Sequence, residues 1–361
     1  HLSIRRQRQM CIRDSNFPNS EVSNFEYLRK LRELGGIAMF EFWRLPLWVE
    51  DDVEKYAEAM VRYCRISKVR TGKPPEIVGI QNEVPQSADM YQRMTMALRR
   101  KLDESGFRSV AIHMADAGGL AGGIARVPAF KAKKGVWNSI NYSASHMYDY
   151  QKFFTQPDEF DSRLIKWKEL TSDKPFLSTE LCINDTRYQL DSYRIALAMG
   201  QLYHKNLVLA DAAAICYCWT LLNVVQPSYG WTRTLFVPDE RNGFLPIPSS
   251  YQLRLLGAYS RRVRRGMVRV EANSTNSDLL VTAFTGGRGK ATFVALNRST
   301  MPMDVRLLWP KVGFREMEIA DQYRQNEIRR GGFSSRDGII ELQIEPGAIV
   351  TLSNVELGRT E

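Results

Sequence analysis

The sequence predicts an α/β fold in two parts, a series of strand–helix units followed by a smaller all-β region. Three observations predict it. Short apolar runs of strand length alternate with longer segments of helical periodicity between about Phe25 and Leu222. Several of those runs are apolar almost without interruption, as in parallel strands covered on both faces. After Tyr251 the helical texture gives way to brief strand-like stretches separated by Gly, Pro and Asn turns.

Taken in order, Phe25, Leu28, Leu31 and Leu34 repeat at helical spacing, and Gly35-Gly36 stops that helix. The run 37-IAMFEFW-43 is a strand closed by Pro46. Asp51 and Asp52 open an amphipathic helix whose buried face is Val53, Tyr56, Ala57, Met60, Val61 and Cys64. A second strand, 76-EIVGIQ-81, leads to a helix from about Ala88 to Leu102 that buries Tyr91, Met94, Leu98 and Leu102. The third strand, 109-SVAIHMAD-116, precedes the Gly-rich 117-AGGLAGG-123 and a weak helical region reaching Phe130. That loop lacks the G-x-G-x-x-G order of a phosphate cradle and reads as a subsite loop. Strand 142-YSASHMY-148 is followed by a helix using Phe160, Leu164 and Trp167; strand 175-PFLSTEL-181 is followed by a helix from Leu190 to about His204. The sixth strand is 212-AAAICYCWTLL-222. Six strands fit an open doubly wound sheet. A (β/α)8 barrel needs two more, which would precede Phe25.

Beyond a boundary near Ser260 the strands are 267-MVRVEA-272, 279-LLVTAF-284, 291-ATFVALN-297, 303-MDVRLLW-309, 339-IIELQI-344 and 348-AIVTLS-353. They predict an antiparallel β-sandwich. The expected organisation is therefore residues 16–260 as a partial barrel and 261–361 as the sandwich. Residues 1–15, HLSIRRQRQMCIRDS, have neither periodicity nor turn logic, resemble translated adapter sequence from a metagenomic gene call, and are set aside as non-native.

The apolar fraction of 44% and charged fraction of 25% are those of a globular protein with a sizeable core, and no apolar run is long enough to span a membrane. The net charge of +10 raises a nucleic-acid reading. However, part of that charge is Arg5, Arg6, Arg8 and Arg13 in the set-aside segment, and 261-RRVRRG-266 reads as a solvated linker pairing with acids of the barrel. Five cysteines (Cys11, Cys64, Cys182, Cys216 and Cys218) follow no zinc spacing and read as free thiols, with Cys216 and Cys218 in the core.

In parallel α/β folds chemistry gathers at the C-terminal ends of the strands. Those ends carry Glu41 and Trp43, then Asn82 and Glu83, His113 and Asp116, His146 and Tyr148, Glu180, and Trp219. Carboxylates, indoles, an amide and a His-Tyr pair suit sugars, whose C–H faces stack on Trp and whose hydroxyls need Asn, His and Glu partners. Glycoside hydrolysis needs two carboxyl groups astride the scissile bond, one protonated and one ionised. Glu83 and Glu180 stand about 100 residues apart, or about three strand–helix units of roughly 30 residues each. Three strands around an eight-strand barrel bring them across its mouth. In an open sheet the same three steps leave them roughly 14 Å apart at about 4.8 Å per strand. Paired catalysis thus favours the barrel.

The pieces 80-IQNE-83, 146-HMY-148, 177-LSTE-180, Trp219 and 250-SYQLRLLGAYSRRVRRGMVRV-270 resemble glycoside hydrolase family 30, within the clan of retaining glycosidases built on (β/α)8 barrels. The resemblance covers about Phe25 to Asn354. It implies that Glu83 is the acid/base and Glu180 the nucleophile, with Asn82 bonding the substrate 2-hydroxyl. By the same resemblance Trp43, His146, Tyr148 and Trp219 line the donor-sugar subsite. From its strand-end position Glu41 is a substrate contact or a helper that tunes a neighbouring carboxyl, and Asp116 is a further substrate contact. Three departures stand out: Val84 separates Glu83 from Pro85, the first two strands of the family barrel have no counterpart, and neither does the clan arginine near the second strand.

Residues and resemblance together predict a retaining hydrolase of β-linked glucan, xylan or related glycosides, with an oligo- or polysaccharide substrate. It requires no metal or cofactor, has no nucleic-acid or membrane partner, acts as a monomer, and is secreted or periplasmic by the same resemblance. The alternative is a catalytically inactive carbohydrate-binding homologue or fragment, because six strands leave edges exposed and the site without its second-strand residues.

Overall fold

Six short parallel strands, the first five each followed in the chain by helical structure, form the first part of the molecule. In the computed structural model these are β1 (Met39–Phe40), β2 (Ile77–Gly79), β3 (Ala111–His113), β4 (Ser143–Ser145), β5 (Phe176–Leu181) and β6 (Ala212–Tyr217). The structure describes residues 18–43, 49, 51–183, 193–218, 235–239, 243–246, 251–310, 312–324 and 327–357. Residues 1–15, Trp48 and Trp219 lie outside these.

Strands β1, β2 and β3 pair in parallel, as do β4, β5 and β6, and a parallel bridge from His113 to Tyr142 joins the two sets. Their spatial order is their chain order. A doubly wound sheet reverses order at a switch point; this one does not.

The helices form where the sequence caps them. In α2 (Val53–Thr71), after α1 (Pro18–Glu33), Asp52 accepts from the amides of Glu54 and Lys55 at 3.0 and 3.1 Å, and Gly72 ends the helix with φ of 84°. Its inward face is Tyr56, Ala57, Met60, Val61 and Cys64. Ser87 caps α3 (Ala88–Glu104), which buries Tyr91, Met94, Leu98 and Leu102. Each such side chain contributes about 1.5–3 kcal/mol on burial. The Tyr56 hydroxyl donates to the Ile80 carbonyl at 2.7 Å, tying α2 to the chain just before Asn82 and Glu83.

The Gly-rich segment opens a helix, α4 (Leu120–Lys131), which is followed by a short α5 (Lys134–Ser139). Its cap comes from far along the chain: Asp149 accepts from the Leu120 and Ala121 amides at 2.9 and 3.0 Å. Trp167, on α6 (Asp161–Thr171), is fully buried against Phe176. The remaining long helix is α7 (Tyr193–Leu209).

The chain divides into two compact units. The first comprises residues 1–150, 162–181 and 210–217, and holds all six parallel strands. The second comprises residues 151–161, 182–209 and 218–361. In it a hairpin of β7 (Phe236–Asp239) and β8 (Gly243–Pro246) precedes α8 (Tyr251–Ser260). The antiparallel strands then follow as β9 (Val268–Val270), β10 (Leu279–Gly286), β11 (Lys290–Asn297), β12 (Met303–Leu308), β13 (Glu316–Ala320), β14 (Arg329–Gly331), β15 (Ser334–Arg336), β16 (Ile339–Ile344) and β17 (Ile349–Ser353).

A six-stranded sheet, β14-β13-β17-β11-β10-β9, and a three-stranded sheet, β12-β16-β15, share one core of Val281, Phe293, Met317, Ile340, Leu342 and Leu352 with Trp309 against it. That is the expected sandwich. The basic linker differs from expectation. Arg262 is buried, and its guanidinium bonds Glu318 at 2.6 Å and Glu316 at 2.7 Å. Those acids belong to β13 of the sandwich rather than to the barrel, because a buried guanidinium must be matched locally by carboxylates. Cys64, Cys182, Cys216 and Cys218 form no disulfide among the described residues. Among the described residues no helix is long and apolar enough to cross a membrane.

Candidate active site

The site lies entirely in the first unit, at the C-terminal ends of its strands. Just past β2 the chain makes a tight turn at Glu83, whose φ of 52° is unusual for a residue with a side chain. The turn is held by the Val84 amide donating to the Asn82 carbonyl at 2.6 Å, by the Glu83 amide donating to the Asp116 carbonyl at 3.0 Å, and by the Asn82 amide donating to the Phe42 carbonyl at 3.0 Å. Val84 therefore uses an N–H that a proline at this position would not have. The departure from Asn-Glu-Pro and the left-handed Glu83 go together.

This turn delivers the Glu83 carboxylate to His146. The distance from Glu83 Oε1 to His146 Nδ1 is 2.9 Å. Glu180, on β5, reaches the same nitrogen: its Oε2 lies 3.7 Å from Nδ1 and accepts from the Tyr148 hydroxyl at 2.7 Å. Two carboxylates that the sequence separates by three strand–helix units thus converge on one imidazole nitrogen. The two distances laid end to end cap the separation of those oxygens near the lower edge of the spacing that inverting pairs use, ~6.5–9.5 Å, and leave room for the ~5–5.5 Å of a retaining pair. The Glu83 side chain is 40% exposed and Glu180 16% exposed, so one faces solvent and the other is sheltered.

The other ring nitrogen of His146 faces a second group. Its Nε2 is 3.6 Å from Asp116 Oδ2, and Asp116 Oδ1 accepts from the Thr179 hydroxyl at 2.7 Å. His113 lies beside them, 3.8 Å from Asp116 Oδ2 through Nδ1 and 3.9 Å from Glu41 Oε2 through Nε2. Burial, then the charges of Asp116 and Glu180, push the Glu41 carboxyl well above the usual carboxylate range, against the opposing pull of His146. Burial alone would lower the His146 imidazole, but the negative charge of Asp116, then Glu83 and Glu180, outweighs it and raises its pKa well above the ordinary value. Burial first, and then Asp116 and Glu83, raise Glu180, while the His146 charge and the Tyr148 hydroxyl favour its ionised form.

Of the residues the sequence singles out, Glu83, Glu180, His146, Tyr148, Asp116 and Glu41 form this connected cluster. Asn82 is buried beside Glu83, with its Oδ1 unpartnered. Trp43 is half-buried two residues beyond Glu41, and Trp219 lies outside the described residues. Sequence reasoning missed Thr179, Arg126 and Cys216. Arg126 binds the Asp116 carbonyl and, at 3.3 Å, that of Glu83, so it clamps both strand ends. Its signal was a lone arginine among apolar and small residues on α4. Cys216, read as core, is close enough that burial and then the charges of Asp116 and Glu180 push its thiol up to about 11. The Gly-rich loop touches the site directly: a Cβ on Gly118 would stand 3.2 Å from Glu83 Oε1.

The fold is that of glycoside hydrolase family 30 proteins. It is similar to a GH30 endoxylanase from Clostridium papyrosolvens C71 (TM-score 0.71, 16% identity, 94% of this chain and 84% of that one). The catalytic domain of GH30 xylanase C from Talaromyces cellulolyticus is alike to a similar degree (TM-score 0.71, 15% identity, 91% and 79%). So is a conserved exported protein from Bacteroides fragilis (TM-score 0.73, 14% identity, 91% and 78%). At these identities the likeness is one of fold. No family model matches the sequence, and no curated protein matches it.

Proposed function

We propose that the chain is a retaining O-glycoside hydrolase of β-linked glycans of the xylan or glucan type. The observation that carries this reading is the convergence of Glu83 and Glu180 on His146 Nδ1, at 2.9 and 3.7 Å. Structural neighbours described as xylanases support the substrate class. In the same reading the six parallel units are part of a (β/α)8 barrel.

The roles follow from position. Glu180, sheltered and bonded by Tyr148, attacks the anomeric carbon as a carboxylate. The glycosidic C–O bond breaks as Glu83, open to solvent, gives its proton to the departing oxygen. Glu83 then takes a proton from water, water's oxygen bonds the anomeric carbon, and the ester to Glu180 breaks, which restores both residues. His146, touching both carboxylates, holds them in register and balances their negative charge. Asn82 and Trp43 serve the sugar, and Trp219 is assigned there by resemblance. The exported neighbour supports secretion or a periplasmic site. Arg262 is already spent on Glu316 and Glu318, which argues against nucleic acid as a partner.

The test is product stereochemistry. Proton NMR of xylo-oligosaccharide cleavage by the full chain should show the β-anomer forming first, with the α-anomer appearing only through mutarotation. Initial formation of the α-anomer would remove Glu180 as nucleophile.

A further inference from the structure

The geometry points to a divalent transition-metal site, of the zinc class, formed by Glu41, Asp116 and His146, with His113 flanking it, on the side of the His146 ring away from the proposed catalytic carboxylates. It goes beyond the glycosidase reading and rests on four atoms: Glu41 Oε2, Asp116 Oδ2, His113 Nε2 and His146 Nε2. All four are buried without a hydrogen-bond partner. One oxygen each from Glu41 and Asp116 and one nitrogen of His146 lie within 4.8 Å of one another.

The imidazoles are oriented as metal ligands are. His113 Nδ1 stands 2.8 Å from the Met114 carbonyl oxygen, so that nitrogen carries the hydrogen and Nε2 offers its lone pair to the cluster. His146 Nδ1 stands 2.9 Å from Glu83 Oε1, so Nε2 is the nitrogen that faces the cluster, and a metal there would displace the proton it carries in the metal-free chain. A metal-bound imidazole characteristically donates its other N–H to a carbonyl or carboxylate, and here one ring does each. Thr179 fixes the second oxygen of Asp116 at 2.7 Å, which steadies a third ligand.

Shared protons fit the same atoms less well. The pairs Asp116 Oδ2–His146 Nε2 and Glu41 Oε2–His113 Nε2 are 3.6 and 3.9 Å apart, too long for hydrogen bonds. Donor atoms around a tetrahedral zinc at ordinary bond lengths are about 3.3 Å apart, so an ion would draw together the three donors that lie within 4.8 Å of one another. One imidazole with two carboxylates, and a second imidazole at the edge, is a borderline N/O donor set that suits zinc and its first-row neighbours. On the Gly79 side the cluster is closed, because a Cβ there would meet His113 Nε2 at 2.3 Å and Glu41 Oε2 at 2.6 Å. An ion here would position His146, and through it Glu83 and Glu180.

The experiment is zinc titration of the chelator-treated full chain, read by calorimetry, by elemental analysis after dialysis, and by thermal melting. One zinc per chain and a raised melting temperature are expected, with Glu41→Gln weakening binding by about 100-fold or more while keeping the circular dichroism of the metal-free chain. No retained metal and an unmoved melting temperature would overturn the site and leave a proton network. Undiminished binding in folded Glu41→Gln would also overturn it, placing the zinc elsewhere, on the thiols for instance. Neither result bears on whether glycosides are cleaved.

Discussion

Glu83 is the residue on which sequence and structure meet most closely. Its partner Glu180 and their common contact His146 were all legible, because each ends an apolar run and the spacing counts strand–helix units. The left-handed turn was not, since nothing local in QNEVP announces it; it depends on the Asp116 and Phe42 carbonyls that other strands supply. The acid/base role proposed for Glu83 has a specific kinetic consequence. Glu83→Gln should lower kcat/KM on unactivated glycosides by about 10²–10⁴. The same variant should lose far less on a dinitrophenyl glycoside, whose leaving group needs no proton. Steady-state rates on the two substrates decide it, and equal losses on both would contradict an acid role.

At the scale of elements, strand and helix positions in the first unit were largely legible, but the strands are shorter than their apolar runs. The run 109–116 narrows to Ala111–His113, and 142–148 narrows to Ser143–Ser145. The residues that leave the ladder, among them Asp116, His146 and Tyr148, bend away to serve the site. Strand β13 escaped notice because EMEIA reads as charged surface, whereas Glu318 is buried against Arg261 and Arg262. The cap of α4 was equally invisible, being donated by Asp149 from beyond β4. Removing it tests how firmly that helix is seated: Asp149→Ala should cost about 0.5–2 kcal/mol, plus what the Arg163 ion pair at 2.7 Å contributes. Urea unfolding measures the loss. Activity should fall with it, since α4 carries the Arg126 that holds the Glu83 carbonyl. Unchanged stability would mean the long-range cap does not hold the helix.

Across the whole molecule, composition and texture foretold two kinds of architecture, and the structure contains both. What they could not foretell is which charges are spent internally. His204 illustrates this in the second unit, where Nδ1 meets the Thr282 hydroxyl at 2.9 Å. Burial first, then the charges of Lys205, Arg298 and Arg269, lower its pKa to about 4. The unfolded chain takes up this proton below about 6.5, whereas the folded chain resists it until about 4, so stability falls as pH drops through that window. The loss approaches about 3 kcal/mol for this one group. Thermal melts at pH 7 and pH 4.5 should therefore differ less for His204→Gln than for the parent chain, and an identical pH response would assign the effect to other groups. The central claim is that Glu83 and Glu180 form a working retaining pair. Mass spectrometry after incubation with a 2-deoxy-2-fluoro-β-xylosyl or -glucosyl fluoride tests it most directly. One fluoroglycosyl group on the peptide containing Glu180, absent in Glu180→Gln, is the predicted result; a chain that hydrolyses β-glycosides yet carries its label on another residue would contradict the account.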